Sequence, residues 1–175
     1  AHCLPAREVG GDFYEVYRHP NSDDIWLAVG DVSGKGVPAA LLMASAISIL
    51  RRELSQDTPP DPGEIMQRLN RSLMDSLVSS NCLITMILAR YSAAASELTY
   101  ANAGHVYPLI WSRVPALHRS TPGQALRDAS QGLFEPEYLQ KRSVPLGIKA
   151  SWEADMGQRS LNVGDVLLLI SDGIT

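Results

Sequence analysis

The chain has 175 residues, of which 45% are hydrophobic and 19% are charged, and its formal net charge is -4. This length and apolar content predict a single domain over residues 1–175 with ample material for a core. Lys and Arg form no cluster and no apolar run approaches the roughly 18 residues of a membrane span, so we expect no nucleic-acid partner, no membrane span and a cytoplasmic location.

The first predicted elements are two strands, at residues 8–18 and 25–32. They are joined by the polar segment 19–24, whose Pro, Asn, Ser and Asp residues are typical of turns. The two strands are therefore expected to form a hairpin.

Two helices are predicted next. Residues 37–54 are apolar on most sides, with Pro38 suited to a first helical turn, so this helix should be largely buried or meet a partner. The second helix has Asp61 as its N-cap, Pro62 at N1 and Glu64 at N3, close to a capping box. Its apolar residues repeat every four positions, which predicts one packing face. They are Ile65, Leu69, Leu73 and Leu77.

The second half is predicted to be rich in strands. Residues 82–91 are apolar on both alternating faces, which predicts a central strand covered on both sides. Residues 97–102 and 106–112 are predicted strands, whereas Gly and Pro break any period in residues 113–143. A further strand is expected at the apolar run 166–170. Strands, two consecutive helices and more strands indicate an α+β layered domain.

Three acidic residues are predicted to lie where strands open into loops. Asp12 follows Gly10-Gly11, Asp31 begins the segment Asp31-Val32-Ser33-Gly34-Lys35-Gly36, and Asp172 follows the apolar run and Ser171. Glycines let the backbone approach an ion closely, and carboxylates suit hard cations such as Mg or Mn. The sequence therefore predicts that Asp12, Asp31 and Asp172 converge on a metal site.

Plainer interpretations remain open for two of these acids. Asp12 after Gly-Gly could form an Asx-turn, and Asp172 before Gly173 could belong to an ordinary turn at a strand end. Asp31 is harder to explain in this way, because an acid that closes an apolar strand needs a partner. A nucleotide-binding P-loop at Gly34-Lys35-Gly36 is disfavoured, because the spacing of its glycines is wrong and Gly36 occupies the hydroxyl position.

Taken in order, these segments resemble the SpoIIE/RsbU branch of the metal-dependent PPM (PP2C-like) protein phosphatases. The matching segments include Asn102-Ala103-Gly104-His105 and Pro145-Leu146-Gly147, and the resemblance spans nearly the whole chain. It implies a PP2C-like layered β-sandwich flanked by helices. It also implies a serine/threonine phosphoprotein phosphatase of bacterial signalling, whose substrate is an anti-sigma-factor-antagonist-like protein.

The resemblance further implies a site for two divalent cations, Mn or Mg. Asp31 would bridge the ions, the Val32 carbonyl and Asp12 would serve one of them, and Asp172 would serve the other. The implied nucleophile is an activated water, so no side chain is expected to attack the phosphate. Asn102, Gly104 and His105 are implied to lie near the site, although a lone His in a Gly-containing turn is more often structural than catalytic.

The chain departs from the family pattern at two places. Glu15 stands where the family often carries Asp, which predicts an extra acid near the site. Family members also continue past Asp172 to a further acidic ligand, so we expect the chain to be C-terminally truncated. The alternative function is therefore a catalytically impaired regulatory or binding module that retains the phosphatase fold.

Regulation is expected to act through the helices. The predicted helix 37–54 follows the Asp31 segment with almost no linker, so a shift of the helix should move Asp31 and Val32. The resemblance implies control by an upstream sensory domain, and a partner or a second subunit of a homodimer that docks on the two helices would then change metal occupancy. An apolar helix surface is more often plain core than an interface.

Overall fold

The computed structural model describes residues 10–112 and 136–171. In chain order, the elements are β1 (Phe13–Arg18), β2 (Ile25–Val32), α1 (Val37–Leu54), α2 (Pro62–Ser79), β3 (Ile84–Ser92), β4 (Glu97–Ala103), β5 (Leu109–Trp111), β6 (Glu137–Tyr138), β7 (Gly157–Ser160) and β8 (Val166–Leu168).

The described elements form two sheets and a pair of helices. The larger sheet is antiparallel with strand order β1-β2-β3-β4-β7, and the smaller sheet has the order β6-β5-β8. The helices pack on one face of the larger sheet and the smaller sheet packs on the other. The predicted α+β sandwich flanked by helices is confirmed.

Strand alternation divides the core into two clusters. On β3, Ile84, Met86 and Leu88 belong to the cluster that includes both helices, whereas Ile87 and Ala89 belong to the cluster between the sheets. All five side chains are buried. The prediction of a central strand covered on both sides is therefore confirmed, and β3 holds the two layers together.

Both helices begin at the residues predicted from the sequence. The Asp61 side chain accepts a hydrogen bond from the Glu64 backbone N–H at 2.8 Å, and the four predicted packing residues of α2 are buried. Helix α1 has the predicted bounds, but Val37 and Leu41 are each 64% exposed. The expectation of a largely buried α1 thus holds for one face only. Neither described helix is long and apolar enough to cross a bilayer.

Several strand boundaries differ from the predictions. Strand β1 begins at Phe13, because the backbone bends at Gly11, and residues 8 and 9 lie outside the described residues. Strand β5 begins only at Leu109, since Pro108 has no N–H to donate and its carbonyl instead accepts from Leu139 N–H at 2.9 Å.

Strands β6 and β7 were not predicted. Their sequences are too short or too polar to show alternation, and β7 forms because it pairs with β4. Gly157 is required there, since a Cβ at that position would lie 2.3 Å from the Tyr100 ring. Within the segment 113–143, only residues 136–143 are described.

A buried carboxylate joins the end of α1 to α2. Glu53 accepts hydrogen bonds from Arg52 Nη2 at 2.8 Å, Gln56 Nε2 at 2.7 Å and Arg68 Nη1 at 2.9 Å. Burial by itself would raise the pKa of this carboxyl, but the three donors outweigh burial and hold the pKa of Glu53 below its ordinary value of 4.5. The ionised form therefore stabilises the fold.

We expect Glu53→Gln to lower the free energy of unfolding by about 2 kcal/mol at pH 7, because charge-assisted hydrogen bonds are lost. A group whose folded pKa is depressed stabilises the protein above its unfolded pKa and loses that contribution as the pH falls through its folded pKa. The difference between the two proteins should therefore shrink as the pH is lowered from about 4.5. Denaturant titrations across this range measure it.

Glu64→Gln is the matched control, since Glu64 also pairs with Arg68 but is half-exposed. Its effect should stay below about 1 kcal/mol. A cost of Glu53→Gln that does not change with pH would contradict the assignment.

Candidate metal centre

The register of β1, β2 and β3 places two acids side by side at one end of the larger sheet. Phe13 pairs with Gly30, and the Val32 N–H donates to the Gly11 carbonyl at 3.2 Å, so Asp12 lies opposite Asp31. Directly opposed residues of antiparallel strands present their side chains on the same face. Asp12 and Asp31 therefore share the face that is turned away from the helices.

The same row continues across the sheet to the end of β4. Asp31 pairs with Thr85, and Met86 pairs with Ala103, so Gly104 lies opposite Thr85. Neighbouring strands are about 4.8 Å apart, which puts the Gly104 backbone roughly 10 Å from that of Asp31. We call Asp12, Asp31, Thr85 and Gly104 the terminal row.

Gly11 allows two candidate oxygen ligands to lie close to each other. A Cβ at Gly11 would lie 2.3 Å from the Val32 carbonyl oxygen and 2.8 Å from Asp31 Oδ1. Only glycine fits this approach, and the Val32 carbonyl and the Asp31 carboxylate both lie against it. The resulting cradle is suited to a cation that takes oxygen ligands.

Asp12 adds a carboxylate oxygen whose surroundings favour a bound cation. Its Oδ1 atom is buried and has no hydrogen-bond partner among residues 10–112 and 136–171. A buried carboxylate oxygen without a donor is costly, and a bound cation would relieve that cost. Asp12, Asp31 and the Val32 carbonyl thus fit a hard divalent ion such as Mg or Mn.

The described residues alone give an incomplete ligand set. Within them, no three His, Cys, Asp or Glu side chains gather in a group that could hold a metal ion. The available donors are two carboxylates and one backbone carbonyl. Asp172, the third predicted acid, lies outside the described residues. Its convergence with Asp12 and Asp31 stays a prediction.

Asn102, Gly104 and His105 form a fixed turn beside the terminal row. Asn102 Oδ1 accepts from the His105 backbone N–H at 2.7 Å, and Asn102 Nδ2 donates to the His105 carbonyl at 3.2 Å. Gly104 has φ of 70°, and a Cβ there would lie 2.5 Å from Pro145. Asn102 and Gly104 therefore have a structural role, because they fix the conformation of the turn.

His105 is buried and its Nδ1 lies 3.1 Å from Thr85 Oγ1. This contact anchors the imidazole to the terminal row next to Asp31. Thr85 was not singled out from the sequence. Its one signal is a hydroxyl inside the apolar run of β3, and only the register shows that it lies beside Asp31.

The prediction that Glu15 adds an acid to the site is wrong. Glu15 forms an ion pair with Arg51 of α1 at 2.8 Å. Side chains alternate along β1, so Glu15 lies with Phe13 on the helix face and Asp12 on the opposite face. Counting positions from Phe13 would have revealed this.

Comparison with known proteins agrees with the sequence resemblance. A family model described as stage II sporulation protein E (SpoIIE) matches residues 21–175. Phosphoserine phosphatase RsbU of Bacillus subtilis (strain 168) is 30% identical over 172 residues, which are 98% of this chain and 44% of RsbU. Phosphoserine phosphatase RsbP of the same organism is 26% identical over 170 residues, which are 95% of this chain and 37% of RsbP. The chain thus spans less than half of each relative.

Solved structures share the architecture. The RsbU and RsbW domains of a Mycobacterium tuberculosis protein superpose with a TM-score of 0.71 at 23% identity, over 97% of this chain and 41% of that one. RsbX in complex with magnesium superposes with a TM-score of 0.69 at 16% identity, over 97% of this chain and 70% of that one. The PP2C phosphatase domain of SpoIIE from Bacillus subtilis superposes with a TM-score of 0.65 at 17% identity, over 95% of this chain and 41% of that one.

The two sheets and their helices therefore have the fold of the PP2C-type phosphatases. Within that class, the family model covers most of the chain, and the chain belongs to the SpoIIE family. The resemblance inferred from the ordered motifs is confirmed.

We expect Gly11→Ala to weaken Mn²⁺ binding by roughly 10- to 100-fold, because the new Cβ would displace the Val32 carbonyl and the Asp31 carboxylate. Isothermal titration of the folded protein measures the affinity. Gly63→Ala is the control, since its Cβ would lie 2.8 Å from Ala154 Cβ and from Met156 Sδ, at the start of α2. It should cost stability but leave Mn²⁺ affinity intact. Equal affinities for the two variants would contradict the cradle.

Proposed function

We propose that this chain is a metal-dependent phosphatase domain that hydrolyses phosphoserine or phosphothreonine in a protein partner. The observation that carries the proposal is the cradle at Gly11, where the Asp31 carboxylate and the Val32 carbonyl both lie against the glycine, and where the buried Asp12 Oδ1 has no hydrogen-bond partner among the described residues. Membership of the SpoIIE family and the names of RsbU and RsbP support this activity.

The proposed centre holds two divalent cations, Mn or Mg. Asp31 would serve both ions, Asp12 and the Val32 carbonyl would serve one of them, and Asp172 would serve the other. When bound, the cations would neutralise charge on the phosphoryl group and lower the pKa of the attacking water. The complex of RsbX with magnesium supports Mg as one candidate.

The protein's own groups position these ligands. The hydrogen bond from the Val32 N–H to the Gly11 carbonyl fixes the backbone at Val32, and the strand register puts both carboxylates on one face of the sheet. His105, anchored on Thr85, lines the neighbouring position of the row. We propose that His105 lies near the phosphate, on the side away from Asp12, and that the turn formed by Asn102 and Gly104 holds it there.

The proposed substrate is a phosphorylated anti-sigma-factor-antagonist-like protein, within a signalling system that switches partners. The proposal rests on the resemblance and on the relatives, whose names identify them as phosphoserine phosphatases. We further propose that an upstream sensory domain, and a second subunit in a homodimer, control the activity.

Asp31→Asn should lower phosphoserine hydrolysis at least about 100-fold, because the bridging charge disappears. EDTA should abolish wild-type activity, and Mn²⁺ or Mg²⁺ should restore it. Release of phosphate from a phosphoserine protein measures both effects.

Asp165→Asn is the matched control. Asp165 accepts a hydrogen bond from Asn162 N–H at 2.9 Å in a turn, so this variant should keep wild-type activity. Activity that survives both EDTA and Asp31→Asn would exclude the metal mechanism. A protein that binds phosphoproteins without hydrolysing them would favour the alternative of an impaired binding module.

Helix α1 offers a route for control of the metal centre. It begins at Val37, soon after Val32, and the intervening Ser33 is held to Leu83 by two hydrogen bonds of 2.8 and 2.7 Å. Movement of α1 would therefore act on the Val32 carbonyl through a short, tethered segment.

Met43→Ala tests this coupling, because Met43 is a residue of α1 that packs against the helix-side core. We expect a loss of Mn²⁺ affinity larger than that of Leu98→Ala, which truncates a buried side chain between the sheets. Titration calorimetry and thermal unfolding compare the variants. If Met43→Ala changes only the melting temperature, α1 is a structural helix.

A further inference from the structure

A surface cleft of about 420 Å³ opens beside the terminal row. Its lining includes Gly104, Tyr107, Arg142, Pro145 and Asp155. Gly104 is itself a member of the row, so the cleft starts roughly 10 Å from the Asp31 backbone, a distance of two strand spacings. An extended peptide covers that distance with about three residues, at roughly 3.3 Å per residue.

The wall of the cleft is fixed by hydrogen bonds to β4 and to Trp152. The Ser143 N–H donates to the Asn102 carbonyl at 2.7 Å, and the Lys141 N–H donates to the Tyr100 hydroxyl at 3.3 Å. Trp152 Nε1 donates to the Val144 carbonyl at 2.6 Å. A ligand would therefore meet a pre-organised wall and would not have to order it.

Arg142 is held in place and keeps hydrogen-bonding capacity. Its Nη2 donates to the Gly104 carbonyl at 3.0 Å, and its guanidinium carbon lies 5.3 Å from the centre of the Tyr107 ring. The side chain is exposed to solvent. A guanidinium has five N–H donors and matches carboxylate oxygens in a two-pronged geometry.

The acid in the wall does not cancel the charge of Arg142. Asp155 pairs at 3.0 Å with Lys141, which is not part of the lining, so Lys141 offsets the charge of Asp155 and Arg142 keeps the cleft positive. The whole chain has a formal net charge of -4. A positive cleft on an acidic protein selects for an acidic ligand.

We propose that this cleft is a substrate subsite that binds an acidic side chain about three residues from the phosphorylated serine or threonine. Arg142 is its specificity-determining residue. The proposal deepens the proposed function and rests on it, because the cleft is assigned to the same substrate. It assigns the substrate a chemical class, a phosphopeptide segment with Glu or Asp at this spacing.

The test uses two fluorescein-labelled phosphoserine peptides. One carries Glu at the third residue before and the third residue after the phosphoserine, and the other carries Gln at the same two positions. Fluorescence anisotropy of the intact chain in EDTA gives the dissociation constants without hydrolysis. We expect wild type to bind the Glu peptide about tenfold more tightly. Arg142→Gln should reduce this preference to about one.

Arg71→Gln is the control, since Arg71 is an exposed arginine on α2, and no residue of α2 lines the cleft. It should retain the full preference for Glu. Equal affinity of wild type for both peptides, or a preference that survives Arg142→Gln, would overturn the subsite.

A separate assay keeps the two proposals apart. Hydrolysis of p-nitrophenyl phosphate with Mn²⁺ reports on the metal centre and contains no peptide. If wild type fails in that assay but Arg142 still governs the preference for Glu, the phosphatase proposal is wrong and the cleft is a peptide-binding site. If hydrolysis occurs without a preference for Glu, the subsite alone is wrong.

Discussion

The antiparallel register of four consecutive strands is the constraint on which the candidate site depends. It aligns Asp12, Asp31, Thr85 and Gly104 into one row, although they come from distant parts of the chain. A slip of one residue in any pair would turn a member of the row to the opposite face. The large apolar side chains that fill both faces of β3 prevent such a slip, so the packing of the core fixes the chemistry at its edge.

The two faces of the larger sheet carry different kinds of residues. The helix side supplies most of the buried apolar surface and contains the ionic cluster of Glu53, which fastens α1 to α2. The opposite side carries the carboxylates at its end, and the cleft of Arg142 lies beyond Gly104. The proposed metal centre and the proposed peptide cleft would together supply what hydrolysis of a phosphorylated protein requires: one site for the phosphate and another for the chain that carries it.

The sequence predicted elements well where local signals were strong. Strand β2 and helix α1 have the predicted bounds, and Asp61 caps α2 as expected, because alternation, apolar content and capping are local properties. Strand β7 and the roles of Thr85 and Arg142 were missed, since they depend on partners far along the chain. The ordered motifs singled out Asp12, Asp31 and Val32, which the strand register places close together, and their role as metal ligands stays a prediction. The prediction for Glu15 was wrong because side chains alternate between the two faces of β1, so Glu15 lies on the same face as Phe13 and not on that of Asp12. The position of Asp172 stays a prediction.

The most direct measurement is a crystal structure of the chain grown with Mn²⁺, with the ion located by its anomalous scattering. Our account predicts a manganese ion beside Gly11, within roughly 2.0–2.6 Å of an Asp12 oxygen, an Asp31 oxygen and the Val32 carbonyl oxygen. Manganese bound elsewhere, with the Asp12 and Asp31 carboxylates turned away from each other, would contradict the account.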